Sequence, residues 1–450
     1  MKKDTKKIFI KTYGCQMNER DSEAIAGMLS KQGHIMVDHE SKGDVLIFNT
    51  CSVRDQAERK AVGKIGFMKK LKKNNPALII GIMGCMAQNR GEELLRELPH
   101  TDFVIGTGQL HKLPDVLDSI ISERRQLAML DEGGDVLTEM GTHYSGEIIA
   151  PCQAFIAVTR GCNRFCSYCI VPHVRGREIS REIADVVAEA KELVNSGIKE
   201  IMLLGQNVAA FGLGGDTAPP PAHVSPFADL LAELNQIDGL LRIRFTSPYP
   251  SYFSEKLIDA LATLDKICHN VHLPLQSGSD RILRKMNRQY TAEQYLAIVN
   301  KLKVKIPDVT FSTDVIVGFP GEEEEDFNAT RNIMNAVGFD NAFIFKYSPR
   351  TGTPAAEMTD QVPQELKEKR NHLLLSDLEK RTVCHNQALI GSVQEVLVEG
   401  PSRRNPKRWA GKTSNSKVAM FMPDSDTQRG QLLKVRINRA TPVSLFGEII

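Results

Sequence analysis

The stretch Ala154-Phe155-Ile156-Ala157-Val158-Thr159-Arg160-Gly161-Cys162-Asn163-Arg164-Phe165-Cys166-Ser167-Tyr168-Cys169 decides the fold. Its first half is apolar and strand-forming, and its second half puts three cysteines on one short loop with Cys-x3-Cys-x2-Cys spacing. A strand that runs straight into chemistry-bearing residues is how a βα barrel presents its active site, at the carboxyl ends of its strands. Three thiolates this close suit a four-iron cluster, and a fourth iron without a protein ligand keeps an open position for a small molecule. A zinc knuckle short of one ligand is the alternative, with His173 four residues on as its candidate fourth donor.

Downstream of this strand the same rhythm continues. Strand patterns over residues 154–159, 200–204, 242–246, 270–273, 310–317 and 342–347 alternate with helical patterns such as 181–195, 226–236, 292–303 and 323–336. Six βα units predict a partial (βα)6 barrel over residues 148–381, with residues 211–225 as an insertion loop after its second strand. Upstream, strands over 7–13, 45–49, 78–83 and 103–105 alternate with helices over 21–31, 55–73 and 91–98. That pattern predicts an α/β, doubly wound Rossmann-like domain over residues 1–130, and the polar, Gly-rich stretch 131–147 reads as a linker. After a charged helix over 364–381 the texture becomes short and β-rich, at 393–399, 417–421, 433–437 and 444–450. With turns at Gly400-Pro401 and Arg429-Gly430, this predicts a small OB-like β-barrel over residues 382–450.

The upstream domain carries three more cysteines in a telling position. Cys15, Cys51 and Cys85 each follow a predicted strand, in Thr12-Tyr13-Gly14-Cys15, Phe48-Asn49-Thr50-Cys51 and Ile82-Met83-Gly84-Cys85. Doubly wound sheets bind ligands beyond the carboxyl ends of their strands, so neighbouring strands would bring these thiols to one crevice. A single buried cysteine is ordinarily a small apolar residue; three at matching positions read as a second metal site with one open position. Cys152, Cys268 and Cys384 match no spacing and receive no ligand role.

Composition bounds the rest. A hydrophobic fraction of 42% and a charged fraction of 25% exclude a disordered or collagen-like chain. No stretch approaches the length of a membrane span, and the basic N-terminus lacks the apolar core of a signal peptide, so a cytoplasmic protein without membrane contact is expected. Net charge is only +2, yet the residues from His385 onward hold ten Lys/Arg against five Asp/Glu. In that module Arg403, Arg404, Lys407, Arg408, Lys412 and Lys417 surround Trp409, a mixture suited to phosphate contact and base stacking.

Gly161-Cys162-Asn163-Arg164-Phe165-Cys166-Ser167-Tyr168-Cys169 resembles the radical S-adenosylmethionine (SAM) signature. Over nearly its whole length the chain resembles the methylthiotransferase family, whose members join an N-terminal domain with its own four-iron cluster, a radical SAM barrel and a terminal RNA-binding barrel called TRAM. Tyr13-Gly14-Cys15-Gln16-Met17-Asn18, Asn49-Thr50-Cys51-Ser52-Val53-Arg54 and Ile170-Val171-Pro172-His173-Val174-Arg175-Gly176-Arg177-Glu178 look most like the branch acting on isopentenylated adenosine beside the tRNA anticodon. Sister branches act on threonylcarbamoyl-adenosine in tRNA or on an aspartate of a ribosomal protein. A non-catalytic iron–sulfur or zinc RNA-binding protein is the reading outside the family.

The resemblance implies two 4Fe-4S clusters, on Cys162, Cys166 and Cys169 and on Cys15, Cys51 and Cys85. It implies two SAM per product, one as methyl donor and one as source of a 5′-deoxyadenosyl radical. The barrel cluster makes the radical, and the N-terminal cluster presents the sulfur that is methylated and transferred to carbon 2 of the adenine. Tyr168, Gln206, Ser247, Gln276 and Asp314, all beside cysteines or strand ends, are the expected SAM contacts. Arg175 and Arg177 are left between the SAM carboxylate and RNA phosphate. The implied partners are a tRNA anticodon stem-loop, an electron donor and a protein that restores sulfur or repairs the cluster.

Overall fold

The computed structural model describes residues 5–52, 55–123, 125–130, 143, 152–215 and 218–450. Its first sheet contains β1 (Lys7–Tyr13), β2 (Ile35–Met36), β3 (Val45–Thr50), β4 (Ile79–Gly84), β5 (Phe103–Ile105) and β6 (Leu127–Met129). All pairings are parallel, in the order β2-β1-β3-β4-β5-β6. Both central strands, β3 and β4, are buried at every position because helices cover both faces of the sheet. Those helices are α1 (Gln16–Lys31), α2 (Asp55–Asn74), α3 (Cys85–Arg90), α4 (Glu92–Glu97) and α5 (Leu113–Glu123). Alternation along β3 sends Val45 and Ile47 into one core and Leu46 and Phe48 into the other.

Three features depart from the expected pattern. Strands β2 and β6 are too short to show a period. Helix α5 was not anticipated either, although it carries five buried residues. Helix α1 starts at Gln16 rather than residue 21, because its first turns bury Asn18, Arg20 and Ser22 instead of apolar side chains. The expected linker lies outside the described residues except for His143.

The barrel follows as β7 (Gln153–Ala157), β10 (Glu200–Leu204), β11 (Arg242–Phe245), β12 (Asn270–His272), β13 (Thr310–Val317) and β14 (Asn341–Lys346), with a short antiparallel ladder of β8 (Thr159–Arg160) and β9 (Ile179–Ser180). These six strands form two parallel sheets, β11-β10-β7 and β12-β13-β14, and Ile267, just before β12, makes an isolated parallel bridge with Ile243 of β11. The continuous strand expected over 154–159 is interrupted at Val158, where the chain turns aside into β8. Around the sheets run α6 (Val171–Arg175), α7 (Ile183–Asn195), α8 (Pro226–Asn235), α9 (Glu255–Thr263), α10 (Asp280–Lys285), α11 (Ala292–Lys305), α12 (Glu324–Val337), α13 (Pro354–Glu357) and α14 (Gln364–Ala388). Helix α14 continues past the expected end at 381, until Asn386 bonds the carbonyls of Thr441 and Pro442.

The last module is a closed barrel of β15 (Val393–Pro401), β16 (Trp409–Thr413), β17 (Val418–Phe421), β18 (Leu432–Ala440) and β19 (Leu445–Ile449), in the order β15-β16-β17-β19-β18. Gly400-Pro401 is not the expected turn: it lies within β15, at a register shift opposite β16. Strand β16 escaped the sequence reading because Trp409-Ala410-Gly411-Lys412-Thr413 lacks a β-branched run. Among the described residues no helix is long and apolar enough to cross a membrane.

Buried charges fix how these parts sit together. Arg242 and Arg244, from the start of β11, donate to the carbonyls of Lys412, Glu395, Thr413 and Ser414 in the terminal barrel. Arg244 Nε also lies 2.9 Å from Glu200 Oε2, both side chains at most 5% exposed, an ion pair too bent for a hydrogen bond. At the other junction, Arg20 of α1 meets Glu189 of α7 at 3.4 Å, and His143 bridges Glu189 and Glu23 at 2.5 and 2.9 Å. Arg181 completes this network on Glu189.

Arg244→Ala leaves Glu200 buried without its cation. The expected loss is about 3–5 kcal/mol, measured by urea denaturation and by protease release of the terminal barrel. For His143, burial lowers the pKa but the hydrogen bonds to Glu189 and Glu23 outweigh it, and the net shift is upward. Its bridge therefore stabilises the fold fully below the unfolded pKa, about 6.5, and the contribution fades as pH rises through the raised folded value. Melting curves of the parent and of His143→Gln should converge as pH rises through that window.

Candidate active site

Register alone aligns the upstream thiols. Tyr13 pairs with Thr50 and Thr50 with Gly84, so three adjacent strands end on one row, and Cys15, Cys51 and Cys85 follow it directly. Gly84 has φ +99°, and a Cβ there would sit 2.6 Å from the Thr50 carbonyl oxygen. Gly14 has φ +158°, and its Cβ would lie 2.8 Å from the Cys51 Cβ. Each glycine thus lets a cysteine-bearing turn close on its neighbour. Asn18 accepts from the Cys15 thiol at 3.2 Å and donates to Asn49 at 2.9 Å, tying the first two turns together. A hydrogen bond with Cys51 pulls the Cys15 pKa well below the usual thiol range, helped by Arg175, while burial pushes Cys85 up.

The barrel triad sits on an excursion closed at its base by β8 and β9, with Cys162 N–H donating to the Gly176 carbonyl at 3.1 Å. Ser167 pins its middle: its N–H donates to Met286, its hydroxyl to Lys285, and its carbonyl accepts from Ala355. Burial, with the neighbouring Cys166 adding to it, raises Cys162 to about 11 and Cys169 to about 12. Buried thiols that resist ionising become good ligands once a cationic centre offsets their charge. Arg288, which the sequence reading did not single out, donates to Cys166 Sγ at 3.8 Å and lies 4.3 Å from the Tyr249 ring centroid. The expected insertion loop reaches back over this site, where Gly215 accepts from Asn163 at 3.1 Å.

The two triads are neighbours. Ile170 and Val174 of the segment following Cys169 pack directly on Cys85, and Cys15 packs against the cluster that Met17 forms with Ala157 and Leu204 of the barrel. Beside Cys169 opens a cleft of about 940 Å³ whose lining includes Gly14, Tyr168, Cys169, Gln276, Asp314 and Phe345, so it reaches the strand end that precedes Cys15. Three of the five expected SAM contacts, Tyr168, Gln276 and Asp314, are thereby brought together. Gln206 and Ser247 follow β10 and β11 on the strand-end side. The buried Gln206 Oε1 has no hydrogen-bond partner, an acceptor suited to an ammonium group. Ser247 and Gln276 adopt φ +58° and +64° without being glycines, and such strain of about 1–3 kcal/mol each concentrates at functional sites. All-thiol donor sets, an unmet buried acceptor and strained strand ends fit two iron–sulfur clusters and SAM.

Surfaces around the cleft carry further signals. Phe343 and Phe345 of β14 are exposed and stacked, with rings 6.5 Å apart and an interplanar angle of 13°. Helix α2, whose Gln56, Arg59 and Lys60 line the cleft, holds seven Lys/Arg against two Asp/Glu. Its Phe67 is 55% exposed beneath Lys64 and Lys70. In the terminal barrel, Lys412 pairs with Glu399 and Lys417 with Asp340, and Trp409 leans on the barrel core. A cationic aromatic face lies where Arg408, one of the expected basic residues, and Arg439 flank Phe446, beside a groove of about 930 Å³. Period-2 spacing from the barrel core was the only available signal for Phe446 and Arg439.

The glycine at the third strand end offers a selective test. Gly84→Ala is expected to displace Cys85 while sparing the barrel loop, so iron content after anaerobic reconstitution should fall by about half. Iron retained at the parent level would show that the turn tolerates the side chain.

Comparison with known proteins agrees with this geometry. Residues 7–106 match the model of the Uncharacterized protein family UPF0004, residues 156–334 the Radical SAM superfamily and residues 387–450 the TRAM domain. A protein of Opitutus terrae named tRNA-2-methylthio-N(6)-dimethylallyladenosine synthase is 45% identical, covering 99% of this chain and 97% of its own. A protein of the same name from Akkermansia muciniphila is 44% identical and covers 98% of each chain. Among solved structures, the radical S-adenosylmethionine methyltransferase TsrM of Kitasatospora setae superposes with a TM-score of 0.58 at 15% identity, covering 78% of this chain and 74% of its own. That likeness concerns the fold alone. Two thiol triads on packed neighbouring segments and near-complete alignment with these relatives lead to one conclusion: the chain belongs to the MiaB-type radical SAM methylthiotransferases, enzymes that use SAM and four-iron–four-sulfur clusters.

Proposed function

We propose that this enzyme methylthiolates carbon 2 of N6-isopentenyladenosine beside the tRNA anticodon, giving 2-methylthio-N6-isopentenyladenosine. The single observation carrying this reading is the cleft lined both by Cys169 of the barrel triad and by Thr12, Tyr13 and Gly14, the strand end that leads into Cys15, since the reaction needs a radical source and a sulfur source on one base. When bound, the clusters and SAM supply hydrogen abstraction from an unactivated C–H bond together with the sulfur and methyl group.

The chain's own part is holding and placing. Cys162, Cys166 and Cys169 hold one cluster, with Arg288 offsetting thiolate charge at Cys166. Cys15, Cys51 and Cys85 hold the other. Gln206 accepts from the SAM ammonium group through its unpartnered Oε1, and Ser247, Gln276, Asp314 and Tyr168 shape the rest of that pocket. Phe343 and Phe345 offer a flat apolar platform for the extruded adenine and its isopentenyl arm. The basic face of α2 meets stem phosphates at the cleft mouth, and Arg408, Arg439 and Phe446 meet RNA on the terminal barrel. Each turnover consumes reducing equivalents and a sulfur atom, which calls for an electron donor and a partner that restores the N-terminal cluster. A tRNA substrate favours a cytoplasmic enzyme.

The test is mass spectrometry of digested tRNA after anaerobic incubation with reconstituted enzyme, SAM, sulfide and strong reductant. Two pools are compared, bearing isopentenyl- or threonylcarbamoyl-adenosine. A methylthio adduct confined to the isopentenyl pool is expected, and Cys15→Ala should abolish it while SAM cleavage persists. An adduct confined to the other pool would overturn the substrate assignment.

A further inference from the structure

Arg175 belongs to none of the roles assigned above. It ends α6, the short helix after the barrel triad, with a side chain only 3% exposed, so it is sealed from RNA phosphate. One terminal nitrogen, Nη2, donates to Asp21 Oδ2 of α1 at 2.9 Å. The other, Nη1, is buried with no hydrogen-bond partner. The guanidinium stands beside the Cys85 thiol and within electrostatic reach of Cys15, where Ile170 and Val174 seat the same helix on Cys85. A buried charged donor left unmatched is costly; a thiol such as Cys85 is a weak acceptor, and thiolate or cluster sulfur is a stronger one.

We infer that Arg175 is a positioning residue for the N-terminal cluster, donating its unmatched N–H to cluster or ligand sulfur from a helix that belongs to the radical-forming loop. The inference rests on reading Cys15, Cys51 and Cys85 as cluster ligands. One guanidinium thus fixes the second cluster relative to the first and sets its electronic character. A nearby cation and hydrogen bond to sulfur favour the more negative, reduced state, so the residue raises the cluster's reduction potential. If Arg175 serves only to dock the two domains through Asp21, its loss weakens the interface and leaves the potential alone.

The experiment uses the full chain carrying Cys162→Ala, Cys166→Ala and Cys169→Ala, so that only the N-terminal cluster is loaded. Its potential is then titrated by electron paramagnetic resonance. Arg175→Met is expected to shift the reduction equilibrium at least tenfold against reduction, which is about 59 mV for one electron. Arg175→Lys should recover part of the shift, and Asp21→Asn, which breaks the docking pair but keeps the guanidinium, should move the midpoint far less. A normally loaded Arg175→Met with the parent midpoint overturns the inference. Should that variant fail to fold, Arg175→Lys and Asp21→Asn sharing the parent midpoint does the same. Absence of iron from the parent of this series would instead refute the cluster reading itself, and iron analysis separates that failure from the first.

Discussion

The contact of Ile170 and Val174 with Cys85 is the constraint on which the rest of the molecule depends. It joins the loop of the barrel triad to the strand end of the other triad, so neither site can move without the other. Two reactive centres that must serve one base gain most from being held in fixed relation, because orientation set in advance need not be found during the reaction. The fold achieves this with ordinary apolar packing of a five-residue helix, reinforced by the buried Arg175–Asp21 pair.

Buried charge fixes the frame around that contact. Arg242 and Arg244 reach into the terminal barrel, and Arg20, Arg181 and His143 converge on Glu189 between the first two domains. Such pairs add little net stability over apolar packing, but they penalise misalignment heavily because a displaced partner leaves a charge unmatched. Arginine also recurs beside the cysteines, Arg288 at Cys166 and Arg175 near Cys85. Both triads must bear concentrated negative charge, and a guanidinium can face sulfur while its other nitrogens bind carbonyl or carboxylate oxygen.

Much of this was legible along the chain because the relevant signals are local. Cys-x3-Cys-x2-Cys is read within eight residues, and strand–cysteine junctions at Cys15, Cys51 and Cys85 follow from apolar runs ending at glycine or threonine. Strand periodicity located β1, β5, β10 and β13 to the residue. Short strands such as β2 carry too few residues for a period, and the first turns of α1 hide polar side chains whose burial only their partners explain. The basic residues of the last module were legible as a group but not one by one: in space Lys412 pairs with Glu399 and Lys417 with Asp340.

By itself the sequence determined the chemistry available: six thiols in two sets of three, a barrel to carry one set and a doubly wound sheet to carry the other. Thiol count and strand-end position are properties of short segments, so no knowledge of packing was needed to see them. Tertiary structure alone decided that the two sets sit on segments packed against each other, that Gln206 keeps an unmet acceptor, and that Phe446 and Arg439 belong to the cationic face. It also decided that Arg175 turns inward to the second triad instead of outward to RNA. These outcomes depend on which surfaces meet between residues far apart in the chain, and the burial and charge pairing that select those surfaces exist only once the domains have docked.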